Sequence, residues 1–483
     1  MKRSKHSLSH YNLLTGDMGE LLPIGAVEVL PGDTFQHQTS ALIRVSPLVS
    51  PVMHPVNVRI HHWFVPYRLL WSGWEDFATG NGGTIPTVTV PATPSTNAPL
   101  LDYLGIPISQ VVGKNLNAFA VRAYNKVYNE FYRDQDLITE VSEDNLTLQK
   151  ISWGKDRFTT ARPWQQKGTA VTIPIGDSAP ITGLGSPNQT FATGPVNVYE
   201  TDGTGTTSYA KYDDSSTTNS LYIEEDPNNA GFPNIRADLS SATAINAVEF
   251  REAFALQRYK EARARYGDKY VDYLRFIGIN PRDSRLQRPE YLGGGRQTIS
   301  FSEVLSTADS GSYTVGDMLG HGIAATRSNR YRRFFEEHGV VLSLLSVRPK
   351  SIYDTGVHRM WTRDSFDDYY QQELETIGQA EIRVDELYAD NSATDDDVFG
   401  YGDRYREYRE HPSNVAGKFR TTLNTWHLGR SLGAAPTLNQ TFIECTPSKR
   451  VHADTSGDTL YCMVNHSIQA RRLVKRAPTA RLI

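Results

Sequence analysis

The segment Met53–Trp74, MHPVNVRIHHWFVPYRLLWSGW, restricts the possible folds of this chain more than any other. Val56, Val58 and Ile60 alternate with Asn57, Arg59 and His61, the period of a half-buried strand. From Trp63 to Leu70 the chain turns almost wholly aromatic and apolar, with Pro66 inside the run. That sequence of patterns reads as a sheet strand that leaves the barrel to pack against something else.

The same alternation recurs at Ala41, Ile43 and Val45, at Val171, Ile173 and Ile175, at Ile299 and Phe301, and at Leu460, Cys462 and Val464. Strands scattered over 483 residues and separated by turns rich in the 37 Gly and 25 Pro favour a sandwich or jelly roll. No alternating βαβ rhythm is visible. One helical zone is expected from about Ala242 to Tyr266, with Ile245, Val248, Ala255, Tyr259 and Ala262 on one face and Glu252 interrupting it. Gly267 is its natural stop, and Asp268 is positioned to cap a shorter helix that ends before Pro281.

Between Gly168 and Ile235 the composition shifts to Gly, Ser, Thr, Asn and Pro, with eight acids and Lys211 as the one basic residue short of Arg236. This reads as an acidic surface insertion within one domain spanning 1–483, since its tyrosines and phenylalanines are too many for a linker. A net charge of -4 excludes a protein that is basic all over, so nucleic-acid contact must come from local patches. Cys445 and Cys462 match no metal or redox spacing and fit a reducing compartment. The start MKRSKHSLSHYNLL has the charge of a signal peptide without its apolar region, and the best apolar run, Val340–Val347, is far short of the ~20 residues that cross a bilayer. The chain is therefore expected to be made and used without crossing a membrane by its own signal.

Motifs for catalysis are missing: there is no Walker loop, HExxH or GxSxG. Gly293–Gly295 before Arg296 reads as a tight turn rather than a phosphate cradle, because a strand follows instead of a helix. His61 and His62 point to opposite faces of a strand and cannot serve one substrate together. No cofactor and no metal site is expected. Basic residues are more informative. Arg327, Arg330, Arg332 and Arg333 interleave with Tyr331, Phe334 and Phe335, which joins phosphate-pairing groups to rings on which unpaired bases can stack. The termini add Lys2, Arg3 and Lys5 at the start and Arg471, Arg472, Lys475 and Arg476 at the end. The plainer readings are an arginine-rich subunit interface for the first group and solubilising tails for the others.

Three blocks carry a resemblance beyond the opening segment: His10–Phe35 (HYNLLTGDMGELLPIGAVEVLPGDTF), Val315–Ile382, and Gly400–Arg430 with Tyr401, Arg404, Tyr405, Glu407 and Tyr408 followed by Leu423, Trp426 and His427. Together they resemble the major capsid proteins of the Microviridae, the small single-stranded DNA phages, and most closely the gokushovirus-like branch. The resemblance implies a mainly β fold: a single eight-stranded antiparallel jelly roll with long inter-strand loops, some helices and a surface insertion. It also implies self-assembly into a small icosahedral shell around a circular single-stranded DNA genome, in a virion assembled in the bacterial cytoplasm. The partners it implies are further copies of the chain, the genome, a small basic DNA-binding virion protein, a pilot-type minor virion protein and a host surface receptor. The acidic insertion becomes the candidate for a protrusion at the threefold axes. No enzyme activity is expected on this reading.

Closed symmetry needs complementary patches, and Tyr, Trp and Arg are enriched in interface hot spots. The candidates lie in Met360–Tyr370 and Tyr401–Arg409: Trp361, Arg363, Tyr369, Tyr370, Tyr401, Arg404, Tyr405 and Tyr408. The alternative is a carbohydrate-active or glycan-binding β-sandwich protein, since 25 Tyr and 7 Trp could line a sugar cleft. No pair of carboxylates stands out for hydrolysis. Binding of a host glycan by the insertion, without cleavage, is a third reading.

Overall fold

The computed structural model describes residues 3–169, 171, 181–182, 196–201, 206–212, 236–237, 247–267, 269–307, 309 and 314–475. Two compact units emerge: residues 1–165 with 263–483, and residues 166–262.

The first unit opens with β1 (Ser4–Ser7), β2 (His10–Gly16), β3 (Leu21–Val29), β4 (Thr34–Val45) and β5 (Val56–Pro66). Short helices α1 (Trp74–Thr79), α2 (Pro94–Asn97) and α3 (Pro99–Tyr103) follow, then the ladder of β6 (Thr87–Thr89) with β7 (Asn115–Asn117) and the longer α4 (Phe119–Phe131). In the second unit β8 (Ile181–Thr182) pairs with β11 (Arg236–Ala237), and β9 (Val196–Thr201) with β10 (Thr206–Tyr212). Helix α5 (Ala247–Tyr266) leads back to α6 (Tyr270–Phe276). The first unit then resumes with β12 (Glu290–Thr298), β13 (Ser300–Leu305), β14 (Met318–Arg327), β15 (Tyr331–Phe334), β16 (Gly339–Pro349), β17 (Gln379–Arg383), β18 (Val398–Asp403), α7 (Gln440–Ile443) and β19 (Leu460–Arg472).

Most of these strands build two larger antiparallel sheets, while β17 and β18 pair only with each other. One follows β1-β19-β4-β14-β13, with β2 lying beyond β1 along β19 and β15 beyond β14 along β4; the other follows β12-β5-β16-β3. The chain crosses between them repeatedly: β2 to β3, β4 to β5, β12 to β13, β15 to β16. The molecule is thus mainly β, an open sandwich wound from one chain as the sequence led us to expect, with seven and four strands in its two sheets.

Inward residues of both sheets fill the space between them. Ile24, Ile43, Val58, Ile60, Leu345, Val347, Leu460 and Val464 form one cluster, and Phe35, Phe64, Phe335, Val341 and Ile468 another. The far face of the four-stranded sheet is covered too, by α4, whose Tyr124 and Tyr128 pack with Trp63, Val65, Leu342 and Leu344. The Tyr124 hydroxyl donates to the Leu21 carbonyl (2.8 Å) and accepts from the Gln149 amide (2.9 Å), which anchors the helix to β3. A sheet buried on both faces explains why β16 is a nearly continuous apolar run. It also revises the reading of Trp63–Leu70: the strand does not leave the sheet at Trp63 but runs on to Pro66, and its alternate side chains enter two different cores.

Two other expectations change. Gly293–Gly295 forms no tight turn but lies within β12 at a bulge, where Gly293 has φ +137°. A Cβ on Gly294 would collide with the Ile60 carbonyl, and one on Gly295 would stand 2.5 Å from the Arg327 carbonyl. The run therefore serves close backbone approach. The stripe expected along α5 is not a buried face: Val248, Ala255 and Tyr259 are exposed, because apolar and charged residues alternate around the whole helix. Gly267, with φ +99°, ends the helix as expected, whereas α6 begins after Lys269. Asp268, Ile245, Ile173, Ile175 and most of Gly168–Ile235 lie outside the described residues. Among the described residues no helix is long and apolar enough to cross a membrane.

Candidate nucleic-acid interface

Period-2 alternation gives β4 and β19 one face in the core and one outside. Six of the seven strands in their sheet, all but β13, contain no Asp or Glu. The register then sets the outward cations side by side. Lys5 pairs with Arg471, Arg332 with Gln36 and Arg327 with Ser40, which in turn faces Asn465. The Arg327 guanidinium donates to Gln38 Oε1 (2.8 Å). Lys5, Arg327, Arg332 and Arg471 are all exposed, and amides and hydroxyls from Gln36, Gln38, Ser40, Asn465 and Ser467 fill the ground between them. Toward the other end of the strands the face becomes apolar, with Tyr11, Leu13, Leu42, Tyr461 and Met463 exposed.

The remaining cations of the sequence reading fall elsewhere. Arg330 is exposed in the turn between β14 and β15, and Lys475 is exposed beyond β19. Arg3 donates to the Gly32 carbonyl (3.0 Å) and Thr34 Oγ1 (3.1 Å), with its guanidinium over the Phe334 ring. Arg333 pairs with Glu290 (2.8 Å) and Arg472 with the fully buried Asp33 (2.9 Å), so both are neutralised within the subunit. Burial raises the Asp33 carboxyl from its ordinary value, against the pull of the Leu30 amide and Arg472. Lys2 and Arg476 lie outside the described residues. Of the rings proposed for base stacking, Phe334 alone faces out. Tyr331 bonds to His37 (2.9 Å), and Phe335 packs on Phe35 and Phe64 inside the sandwich, because adjacent residues of a strand point to opposite sides.

The β12 glycines position this face. The missing Cβ of Gly295 admits the Arg327 carbonyl, and the Asn329 amide donates to the Gly294 carbonyl (2.9 Å), which pins the Arg327–Arg330 turn. The polar ground between the arginines escaped the sequence reading, although acid-free alternating strands such as TFQHQTSALIRV were its visible signal.

The interface candidates converge in a separate lobe with its own core of Phe158, Ile382, Phe399 and Phe442. Glu386 and Glu407, both buried, receive Arg157 (2.9 and 3.5 Å), and Arg363 reaches Glu407 (3.3 Å) with its guanidinium over Tyr408 (4.5 Å) and Tyr369 (5.2 Å). Burial raises the Glu386 carboxyl, opposed by Arg157 and Arg359. Trp361 is 74 % exposed, while Tyr369, Tyr370 and Tyr408 are about half exposed. Tyr401 bonds through its backbone to Arg162, and the Arg404 Nε donates to the Ile377 carbonyl. Tyr405 is only 5 % exposed and adopts φ +60°; its hydroxyl donates to the Tyr369 carbonyl and accepts from the Gln371 amide. Its place is inside the subunit.

Comparison with known proteins completes the identification. Residues 1–475 match the family described as capsid protein (F protein). The chain is 36 % identical to capsid protein VP1 of Bdellovibrio phage phiMH2K, across 93 % of this chain and 89 % of that one. It is 31 % identical to capsid protein VP1 of Chlamydia phage 1 (94 % and 91 %) and 28 % identical to that of Spiroplasma virus 4 (92 % and 87 %). The chain belongs to the capsid protein (F protein) family of the Microviridae, a structural component of the virion that assembles with further subunits into a shell.

Proposed function

We propose that copies of this chain close into a small icosahedral shell around a circular single-stranded DNA, with the Lys5, Arg327, Arg332 and Arg471 face toward the genome. The observation that carries the reading is the convergence of four exposed cations from four strands of one sheet, on strands free of carboxylates. Cationic side chains that neutralise phosphates release counterions, and the amides and hydroxyls between them supply uncharged donors to the same backbone. In this reading the chain is a scaffold rather than an enzyme. A small basic virion protein shares the neutralisation, a pilot-type minor protein completes the virion, and the acidic insertion within 168–235 projects at the threefold axes toward a host receptor. The two buried, unpaired cysteines fit assembly in the reducing bacterial cytoplasm.

The test is fluorescence anisotropy of a labelled oligo(dT) with the full-length subunit over a salt series. Arg327→Ala and Arg332→Ala should each weaken binding and flatten the salt dependence, with a slope change of about 0.7 per lost contact with a single strand. Arg333→Ala should leave both unchanged. Equal effects from all three variants, or no effect from any, would remove the genome from this face and leave it as an interface between subunits.

A further inference from the structure

Four histidines from four strands meet inside the sandwich. His37 of β4, His466 of β19 and His10 of β2 belong to the seven-stranded sheet; His62 of β5 comes from the facing one. Ring centroids are 4.6 Å apart for His37 and His62, 5.3 Å for His37 and His466, and 4.8 Å for the stacked His10 and His466. His37, His62 and His466 are buried almost completely.

The hydrogen bonds run in one direction. His466 Nε2–H donates to the Ile24 carbonyl (2.8 Å), which leaves its Nδ1 as an acceptor. His37 Nε2–H fills that acceptor (3.1 Å), and His37 Nδ1 in turn accepts from the Tyr331 hydroxyl (2.9 Å). The Thr39 hydroxyl lies 3.0 Å from His37 Nε2 and 2.9 Å from His466 Nδ1. His62 Nδ1 bonds with the Ser343 hydroxyl (2.8 Å), and its Nε2 is buried without a partner. This arrangement requires His37 and His466 to be neutral. A proton added to His466 Nδ1 would set two N–H groups against each other, and one on His37 Nδ1 would turn its acceptor into a second donor.

We propose that this imidazole chain is an acid-sensitive latch, which holds the two sheets together while its rings are neutral and parts them when they take up protons. Among the described residues the groups that face it are the Tyr331, Thr39 and Ser343 hydroxyls and the Ile24 carbonyl, with His61 on the far side of β5; no carboxylate is there to receive the charge. Burial, reinforced by the neighbouring imidazoles, pushes His37 down to about 2, His62 to about 3 and His466 to about 4. Folded values below the unfolded one mean that the stabilisation is complete above about pH 6.5 and is lost as pH falls toward 4. Three protons taken up on unfolding raise the unfolding equilibrium constant about a thousandfold per pH unit in that window. His54, His61 and His452, also lowered by burial to about 4, add a background that substitutions in the latch do not touch.

Urea unfolding of the full-length subunit between pH 7.5 and 4.5 tests this. His62→Gln should remove one power of ten per pH unit from the slope, and His37→Gln with His62→Gln should remove two. An exposed control, His321→Gln, should remove none. Slopes that match wild type in the latch variants would overturn the proposal. Histidine Cε1–H exchange on the wild-type chain requires no substitution: a half-exchange pH well below 6 at His37 and His62 is expected, and one near 6.5 would overturn it regardless of how the variants fold.

Discussion

Lys5 and Arg471 stand directly opposite each other in the β1–β19 ladder, two like charges with Thr34 as the next residue across the sheet. Like charges paired across strands weaken a sheet by about 0.2–1 kcal/mol. A bound polyanion removes that cost. Lys5→Ala is therefore expected to leave the free subunit as stable as wild type or slightly more so in urea unfolding, while it weakens oligo(dT) binding in the anisotropy assay. Loss of stability and of binding together would make Lys5 a structural residue.

Gly295 lets the basic turn approach β12. Gly295→Ala places a Cβ 2.5 Å from the Arg327 carbonyl, and the backbone shift should cost about 1–3 kcal/mol. Thermal unfolding measures that cost. The same variant should weaken oligo(dT) binding although no charge is altered.

Trp361 and Tyr405 should separate shell contacts from folding. Tyr405→Ala empties a buried site with two hydrogen bonds and should destabilise the subunit by about 3 kcal/mol. Trp361→Ala, at an exposed position, should stay within about 0.5 kcal/mol of wild type. If Trp361 is a contact in the shell, particle yield by electron microscopy falls in its variant with subunit stability intact; unchanged yield removes it from the interface.

Glu407 anchors Arg157 and Arg363 in the second lobe. Glu407→Gln removes the counter-charge of Arg363 in a buried site while Arg157 keeps Glu386, at a cost of about 3–5 kcal/mol. Limited proteolysis should show cleavage in 351–430 before the sandwich is cut.

Cys445 and Cys462 are buried, and burial pushes both thiols up to about 12. Neither should react with iodoacetamide at pH 8 in the folded subunit, and both should react in urea, as mass spectrometry would record. Rapid modification of the native chain would contradict the packing around β19 and α7.

Much of the sandwich was legible in the sequence, because β4, β5 and β19 each declare their buried face by alternation, and β16 is an apolar run interrupted only by Ser343 and Ser346 between Val340 and Val347. Gly267 likewise announced the end of α5. The site was less legible. Which cations share a face depends on pairings such as Lys5 with Arg471, more than 460 positions apart, and no local pattern encodes that register. Arg333 and Arg472 resemble Arg332 and Arg471 in sequence and differ only in meeting Glu290 and Asp33. Tyr405 sits in an irregular loop, where no period separates a core tyrosine from an exposed one. The four histidines were each visible, and two facing sheets had to close before they became neighbours.

Strand β19 lies between β1 and β2 on one side and β4 on the other. During synthesis, β1, β2 and β4 emerge long before β19 exists, so the seven-stranded sheet cannot form around its β4–β19 ladder until that strand has been made. Arg471 arrives with that strand. The basic face is therefore incomplete until β19 joins Lys5, Arg327 and Arg332 with Arg471. The order in which that surface can be put together is thus fixed by strand order, with the segment made last holding the others in place.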